Sequence, residues 1–464
     1  MVEIIPFKAL RFNTLKNEEI SRLVSPPYDI ISPAQKEELK TFSENNIVRL
    51  ILPEDEKDRD KYESAKNTLN FWIGNNILKL ESNEAFYVFE ESFIDNGKWK
   101  NFTAFIGLTK IEEYESLKIL RHEYTLSKPK EDRLNLLRAA NTNFGLIYTL
   151  YNDQNKKIQE LLEHYKLSKP IYDFIPEYNN ELKFRIWKIT DENDIKKVID
   201  LMENNNLLIA DGHHRYETSR IFKHEVKEKR KNTEINLGET FIEANQAFVY
   251  PEDYVLTMYV NFNQENIKIL PSHRLIKFEN DIDFEKIKDE LHKYFYIESY
   301  SAIFGGKFLK DSDFTSSKKD DAVFNILDFM SKSKKNGKKS FCFYDKSKNI
   351  FFCTLKEKIN ALYGSSKEDD FEFENLGVRI LHSFILEELL KKYKIKNIDF
   401  THSLPEVIEK ITLKNTDYDL GIILNAPEIK DVESLSLKGK VMPQKSTYFY
   451  PKPCSGLIMY KMDL

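Results

Sequence analysis

Along the chain, short apolar runs alternate with segments whose apolar positions recur every three or four residues. The runs predict buried strands and the periodic segments predict amphipathic helices, the pattern of a mixed α/β protein. Ser32-Pro33-Ala34-Gln35 supplies an N-cap, a proline at the first helical position and a capping-box glutamine, so a helix is expected to open there. A strand over 47–52 and a helix over 58–73 follow. Residues 86–94 and 99–108 flank Asn96-Gly97, whose tolerance of positive φ predicts a β-hairpin. Residues 129–140 and 195–202 read as helix, and 144–151 and 207–210 as strand. In the second half, 254–262 and 420–424 read as strands, 284–295 as a helix, and 339–344 with 350–355 as a second hairpin. The longest amphipathic helix is expected over 376–393. Two lysine-rich stretches, 223–231 and 332–339, read as solvated surface, the second as a mobile loop. No internal repeat or low-complexity linker is present. The expected division is an N-terminal α/β region, 1–250, and a C-terminal α/β region, 251–464.

Composition narrows the function classes. Of 464 residues, 41% are hydrophobic, enough for real cores. The 70 basic and 75 acidic residues leave a net charge of -5, which argues against a protein that wraps nucleic acid, and no nucleic-acid partner is expected. Cys342, Cys353 and Cys454 show no CxxC spacing, so they read as reduced thiols of a cytoplasmic protein rather than a zinc site or a disulfide framework. The N-terminus lacks the layout of a signal peptide, and no uncharged apolar run approaches the ~18 residues that span a bilayer. A soluble cytoplasmic protein with no membrane partner is the expectation. Oligomeric state has no signature in the chain.

The densest chemistry stands at Asp211-Gly212-His213-His214-Arg215, between the strand at 207–210 and helical sequence from Tyr216 onward. A strand that turns into a helix points unpaired N–H groups outward at the helix start. Gly212 lets the backbone approach a ligand closely. Arg215 adds a fork that matches phosphate oxygens, and His213 and His214 add further polar contacts. Asp211 is suited to hold a magnesium ion, orient a histidine or accept a proton. The plainer alternative is an aspartate cap on an ordinary helix. Adjacent histidines point about 100° apart on a helix, so the pair does not grip one zinc ion. GxSxG, HExxH and GxGxxG are all absent.

Other segments add candidates. Ser25-Pro26-Pro27-Tyr28-Asp29 is a rigid extended turn that suits either presenting Tyr28 and Asp29 to a ligand or a plain loop. Asp29 is the leading general base, because a substrate hydroxyl needs an acceptor for its proton. Arg121-His122-Glu123 and residues 128–133 concentrate charge just before a helix. Lys128 and Lys130 oppose the helix dipole there, a hint of an anionic ligand beside the alternative of simple exposure. Pro271-Ser272-His273-Arg274 repeats the His-Arg pairing and reads equally as a second phosphate contact or a sheet edge. Lys445-Ser446-Thr447 offers one charge and two hydroxyls to an anion, without the glycine-rich stretch of a P-loop.

The turn at Asp211 to Arg215 is similar to the strand-turn-helix signature of the ParB/sulfiredoxin superfamily, whose members bind nucleotide phosphates there and include kinases of free serine. The whole chain resembles the family catalogued as domain of unknown function 1015, through Ser25 to Asp29, Lys128 to Arg133, Asp211 to Thr218, Pro271 to Arg274 and Met442 to Thr447. The resemblance implies a ParB/sulfiredoxin-like phosphate-binding core elaborated by further mixed-sheet α/β segments. It also implies helpers at Asp29, Arg133, His273 and Lys445. The reading that follows is a phosphotransferase acting on a small hydroxylated metabolite, with free L-serine as acceptor and ATP, ADP or pyrophosphate as donor. Magnesium, with Asp211 as its ligand, would neutralise the phosphates. Asp29, Asp211 and Glu217 are the expected catalytic residues. Tyr28, Arg133, Gly212, His213, His214, Arg215, His273, Arg274, Lys445 and Ser446 are the expected phosphate and substrate contacts. The rival readings are a ParB-like nucleotide-binding protein without kinase activity and a phosphatase or phosphodiesterase.

Overall fold

The computed structural model describes residues 1–95, 97–125, 127–237, 250–305, 316–356, 373, 375–413 and 416–463. These fall into two compact units, Met1–Lys268 with Pro451–Leu464, and Ile269–Tyr450. The fold class is mixed α/β, as the alternating pattern implies.

The first unit is built on a nine-stranded mixed sheet. Its strands are β1 (Ile4–Ile5), β2 (Phe86–Asp95), β3 (Lys98–Lys110), β4 (Ile119–Leu120), β5 (Ile147–Tyr151), β6 (Tyr172–Phe174), β7 (Leu182–Ile189), β8 (Leu207–Asp211) and β9 (Tyr254–Asn261). Their order is β4-β8-β5-β9-β3-β2-β7-β6, with β1 also paired to β3. The β2–β3 hairpin turns at Gly97, whose φ of 72° is of the kind the turn requires; Asn96 lies outside the described residues. Strand β9 runs parallel to β5 and antiparallel to β3. Those ladders put residues 254–261 in the first unit, so the division of the chain departs from a cut at residue 250.

One face of this sheet, with Phe86, Val88, Phe105, Ile147, Tyr151 and Ile209, packs on Ile158, Leu161 and Leu162 of the helix Lys157–Tyr165 and on Val198 and Met202 of the helix Glu192–Met202. Those apolar positions recur at helical spacing and are removed from water together, which drives the layer to form. The helices that matter for the site are α1 (Pro33–Phe42), α2 (Lys61–Gly74), α3 (Ser127–Ala140) and α4 (His213–Leu237). Ser32 caps α1 by accepting from the Gln35 N–H at 3.2 Å, as its sequence predicts.

Residues 451–463 are tied to the rest of this unit by main-chain pairings. Ser455 exchanges main-chain hydrogen bonds with Ser25 (3.3 and 2.8 Å), Met459 does so with Leu10, and Tyr460–Lys461 pairs antiparallel with Thr142–Asn143. Three expectations are corrected. Residues 47–52 contain a helical turn, Val48–Ile51, rather than a strand. An apolar run of this length does not distinguish strand from helix, and the Asn46 side chain, accepting from the Val48 N–H at 2.9 Å, decides for the turn. Residues 332–335 end the helix Ser316–Lys335 instead of forming a loop. The stretch 377–393 is helical but changes pitch twice, and α4, with 25 residues, is longer.

The second unit carries a six-stranded sheet of β10 (His273–Phe278), β11 (Phe295–Ser299), β12 (Ser340–Asp345), β13 (Ile350–Leu355), β14 (Ile395–Thr401) and β15 (Leu420–Leu424), ordered β11-β13-β12-β15-β10-β14. Strands β12 and β13 form the second expected hairpin. Leu275, Cys342, Tyr344, Phe352 and Ile423 pack on one face against Ile326 and Met330 and against Val407 and Ile411. All three cysteines are buried and unpaired as thiols. Among the described residues no helix is long and apolar enough to cross a membrane.

Candidate phosphate-binding site

Strand β8 ends at Asp211, and α4 begins at His213. Gly212 between them has φ of 96°, a conformation that favours glycine, and its carbonyl accepts the first helical hydrogen bond from the Tyr216 N–H at 2.9 Å. The buried Tyr216 holds the start of the helix, since its hydroxyl donates to the Glu112 carbonyl and accepts from the Glu112 N–H, each at 2.9 Å. The predicted strand-turn-helix junction is therefore present.

Helical spacing then sorts the side chains of α4. Residues four apart share a face, and residues two apart do not. Arg215, Thr218 and Ser219 line an open cleft together with Tyr28, Arg133, Leu136, Phe144, Gly145 and Val255. His213 and Glu217 lie on another face. The His213 ring meets the His122 ring edge-on at 4.6 Å, and Glu217 is 3.5 Å from Arg121 and 3.4 Å from Arg220. None of the three expected catalytic residues, Asp29, Asp211 and Glu217, is among the residues that line the cleft.

The cleft holds two arginines in fixed positions. Arg215 donates from Nη2 to Asp211 Oδ2 at 2.5 Å. A Cβ on Gly145 would come within 2.8 Å of Arg215 Nη1, and one on Gly212 within 3.2 Å of Nε and Nη2. Two glycines thus leave the room that the guanidinium fills. Arg133 donates from Nε and Nη2 to Asp132 Oδ2 (3.1 and 2.5 Å) and from Nη1 to the Ile51 carbonyl at 2.7 Å, and it lies 4.3 Å over the Tyr28 ring. Asp132 also accepts from Lys61 and Tyr62 at 2.6 and 2.9 Å. Its carboxyl is drawn down to about 2, because those donors and Arg133 outweigh the opposing effect of burial. The side chain of Lys128 lies outside the described residues.

Lys452 joins the Asp29 and Asp211 side chains, a contact that no motif in the sequence indicates. The Ser25–Ser455 bridge carries residues 25–29 alongside the end of the chain, and the Lys452 ammonium donates to Asp29 Oδ2 at 2.9 Å and to Asp211 Oδ1 at 2.5 Å. The Lys452 side chain is 8% exposed. Burial alone would raise the Asp211 carboxyl, yet Lys452 and Arg215 hold it well below the usual carboxylate range. Burial alone would lower the ammonium, and the two carboxylates instead hold it above the ordinary lysine range. No local pattern announces Lys452; only the strand-like pairing of the tail could have pointed to it.

Asp211 was expected to ligate magnesium. Both of its oxygens already accept from a cation, so its geometry fits an ion-pair anchor and does not fit a metal ligand. Among the described residues no group of three or more His, Cys, Asp or Glu side chains could hold a metal ion. His213 is buried, its Nε2 has no hydrogen-bond partner among the described residues, and burial followed by the neighbouring His122 pushes its imidazole well down.

The remaining candidates lie in the second unit, where the structure joins two motifs. Arg274 is fully buried, lies 4.5 Å over the Phe400 ring, and donates to the Ser272 carbonyl, to the Lys445 carbonyl at 3.3 Å and to His382 Nε2 at 3.0 Å. Arginine only donates, so His382 accepts at Nε2. Lys445 itself is exposed, with φ of 56°, and the buried Ser446 hydroxyl donates to the Pro443 carbonyl. His273 follows on the opposite side of the strand from Arg274, since successive residues alternate. Its Nδ1 accepts from the Leu424 N–H at 3.4 Å, and burial, then His402 and Arg274, push the ring down to about 3.

No curated protein matches the chain. Among solved structures, a free serine kinase in complex with AMP shares 12% identity, with 75% of this chain and 90% of that chain covered at a TM-score of 0.34. A conserved hypothetical protein from Pyrococcus furiosus shares 12% over 74% and 90%, at 0.32. SbnI from Staphylococcus aureus, with a C-terminal truncation, shares 10% over 76% and 86%, at 0.33. These likenesses are remote, and the reading of the site rests on its own residues. At the level of sequence, residues 4–379 match a family model described as "Protein of unknown function (DUF1015)", which takes in Ser25 to Asp29, Asp211 to Arg215 and Pro271 to Arg274 and ends before Met442. The chain belongs to that family.

Proposed function

We propose that the protein is a phosphotransferase that moves a phosphoryl group between a nucleotide or pyrophosphate and a small hydroxylated metabolite, free L-serine first among the acceptors, in the cytoplasm. The observation that carries this reading is the Arg215 guanidinium lodged against Gly145 and Gly212 at the start of α4, in one cleft with Arg133. Two arginines held by carboxylates keep their forks oriented, and the first turn of a long helix adds N–H groups that favour an anion. Phosphoryl transfer asks a protein mainly for such positioning and charge.

In this reading Arg215, Arg133, His214 and the backbone at Gly212 and His213 hold phosphate oxygens, and Tyr28 closes the cleft. Asp29 is the base. One of its oxygens is held by Lys452, and the other has no protein partner among the described residues, so it is available to take the acceptor's hydroxyl proton as the new O–P bond forms. Magnesium, when it accompanies the donor, supplies charge neutralisation for the phosphates. In the second unit the exposed Lys445 is proposed as an anion contact, and His273, Arg274 and Ser446, buried and hydrogen-bonded within the protein, would act only by positioning it. The test is phosphorus NMR of the protein with serine, magnesium and ATP, ADP or pyrophosphate in turn. Phosphoserine from at least one donor is the expected result. No phosphoserine from any donor, and no reverse reaction, overturns the serine reading, whereas release of inorganic phosphate alone points to hydrolysis.

A further inference from the structure

Asp29 and Asp211 face one another across a buried amine. Lys452 reaches them from the other end of the chain and donates to both, at 2.9 and 2.5 Å, while Arg215 takes the remaining oxygen of Asp211 at 2.5 Å. Two carboxylates, one ammonium and one guanidinium sum to zero charge. That balance matters because the Lys452 side chain is 8% exposed and a charge so far removed from water persists only when paired. A divalent ion ligated by Asp211 would either displace Lys452 or stand beside two positive groups.

We propose that Lys452 is the resident cation of the Asp29–Asp211 pair, taking the place between the two carboxylates that a divalent ion would fill, and that with Arg215 it forms a two-cation pole for an anionic group of the ligand. The first half stands on geometry alone, and the second rests on the phosphate-binding reading of the turn. The carboxylates hold the two cations at a set separation, so the charge that meets the ligand is in position before it arrives. A tethered ammonium, unlike a metal ion, needs no loading and does not leave with product.

Two measurements on the full chain separate the halves. In the first, Mn²⁺ binding is followed by electron paramagnetic resonance for wild type, Asp29→Asn and Lys452→Met. Wild type and Asp29→Asn are expected to bind Mn²⁺ alike, and Lys452→Met to gain one site per chain, tighter by about tenfold or more. A wild-type site that Asp29→Asn abolishes overturns the proposal, as does a folded Lys452→Met with no added site. If Lys452→Met does not fold, the comparison of wild type with Asp29→Asn still decides, because Asp29 is exposed. In the second, ADP and pyrophosphate binding are measured by calorimetry in the presence of a chelator. Binding by wild type, retention in Lys452→Arg and a loss of about tenfold in Lys452→Met are expected. Equal affinity in Lys452→Met overturns the two-cation pole. If wild type binds neither ligand, the phosphate reading fails while the Mn²⁺ result stands by itself.

Discussion

Lys452 and Asp211 are separated by 241 residues in the chain, yet the ammonium lies 2.5 Å from the carboxylate, between a strand end and the returning tail of the same unit. The contact closes a path that begins at the Ser25–Ser455 bridge and ends at the Arg215 guanidinium. It makes one aspartate the anchor of two cations, and the consequences are measurable.

The first concerns Asp211→Asn. The change leaves a buried ammonium and a guanidinium short of one negative charge, and breaking such a pair costs about 3 kcal/mol. The Asp211 carboxyl is held low in the folded chain, because Lys452 and Arg215 overcome the effect of burial. Its contribution is therefore full above the unfolded value near ~4 and is lost as pH falls through the lower folded value. Urea denaturation is expected to show the variant well below wild type at pH 7 and the gap narrowing in acid. A gap that stays constant down to the lowest pH at which both chains fold would refute this assignment.

A second prediction separates two glycines that both touch Arg215. Gly212 has φ of 96°, so Gly212→Ala strains the backbone as well as crowding the guanidinium, at about 1–3 kcal/mol of stability. Gly145 carries no such strain, and its added Cβ would crowd the Nη1 end of Arg215 at 2.8 Å. Gly145→Ala is expected to cost under ~1 kcal/mol in thermal unfolding while weakening ADP binding by about tenfold, through displacement of the arginine. Equal loss of stability in both variants would count against it.

A third concerns Glu91 on β2, fully buried with neither carboxylate oxygen hydrogen-bonded among the described residues. Burial pushes its carboxyl well above the ordinary range. For a raised acid, the stabilising share is complete below the unfolded value near ~4.3 and is lost as pH rises through the folded value. Wild type is expected to lose stability from pH 5 to pH 9 relative to Glu91→Gln, which has no proton to give up. Denaturation midpoints that run parallel over that range would exclude a neutral buried Glu91.

Much of the local structure was legible in the chain. The Ser32 cap, the hairpin turning at Gly97 and the turn at Gly212 each follow from residues adjacent in sequence, because caps and positive-φ turns are decided within a few residues. The errors fall where that rule lapses. Residues 47–52 are apolar enough for either element, and a neighbouring side chain chose the helical turn. The lysines at 332–335 looked like loop, but they end a helix whose apolar positions lie earlier in it.

At the site, the residue types at Asp211 to Arg215 and the rigidity of Ser25 to Asp29 were set by the sequence by itself, since backbone freedom and side-chain chemistry are local properties. Which of those groups meet was decided only by tertiary structure. Helix phase turned Glu217 away from the cleft and Arg215 into it, and the sheet register and the returning tail brought Lys452 between Asp29 and Asp211. Contacts across 423 and 241 residues leave no periodic trace in a sequence, because the charge that satisfies a buried carboxylate can come from anywhere the folded backbone delivers it.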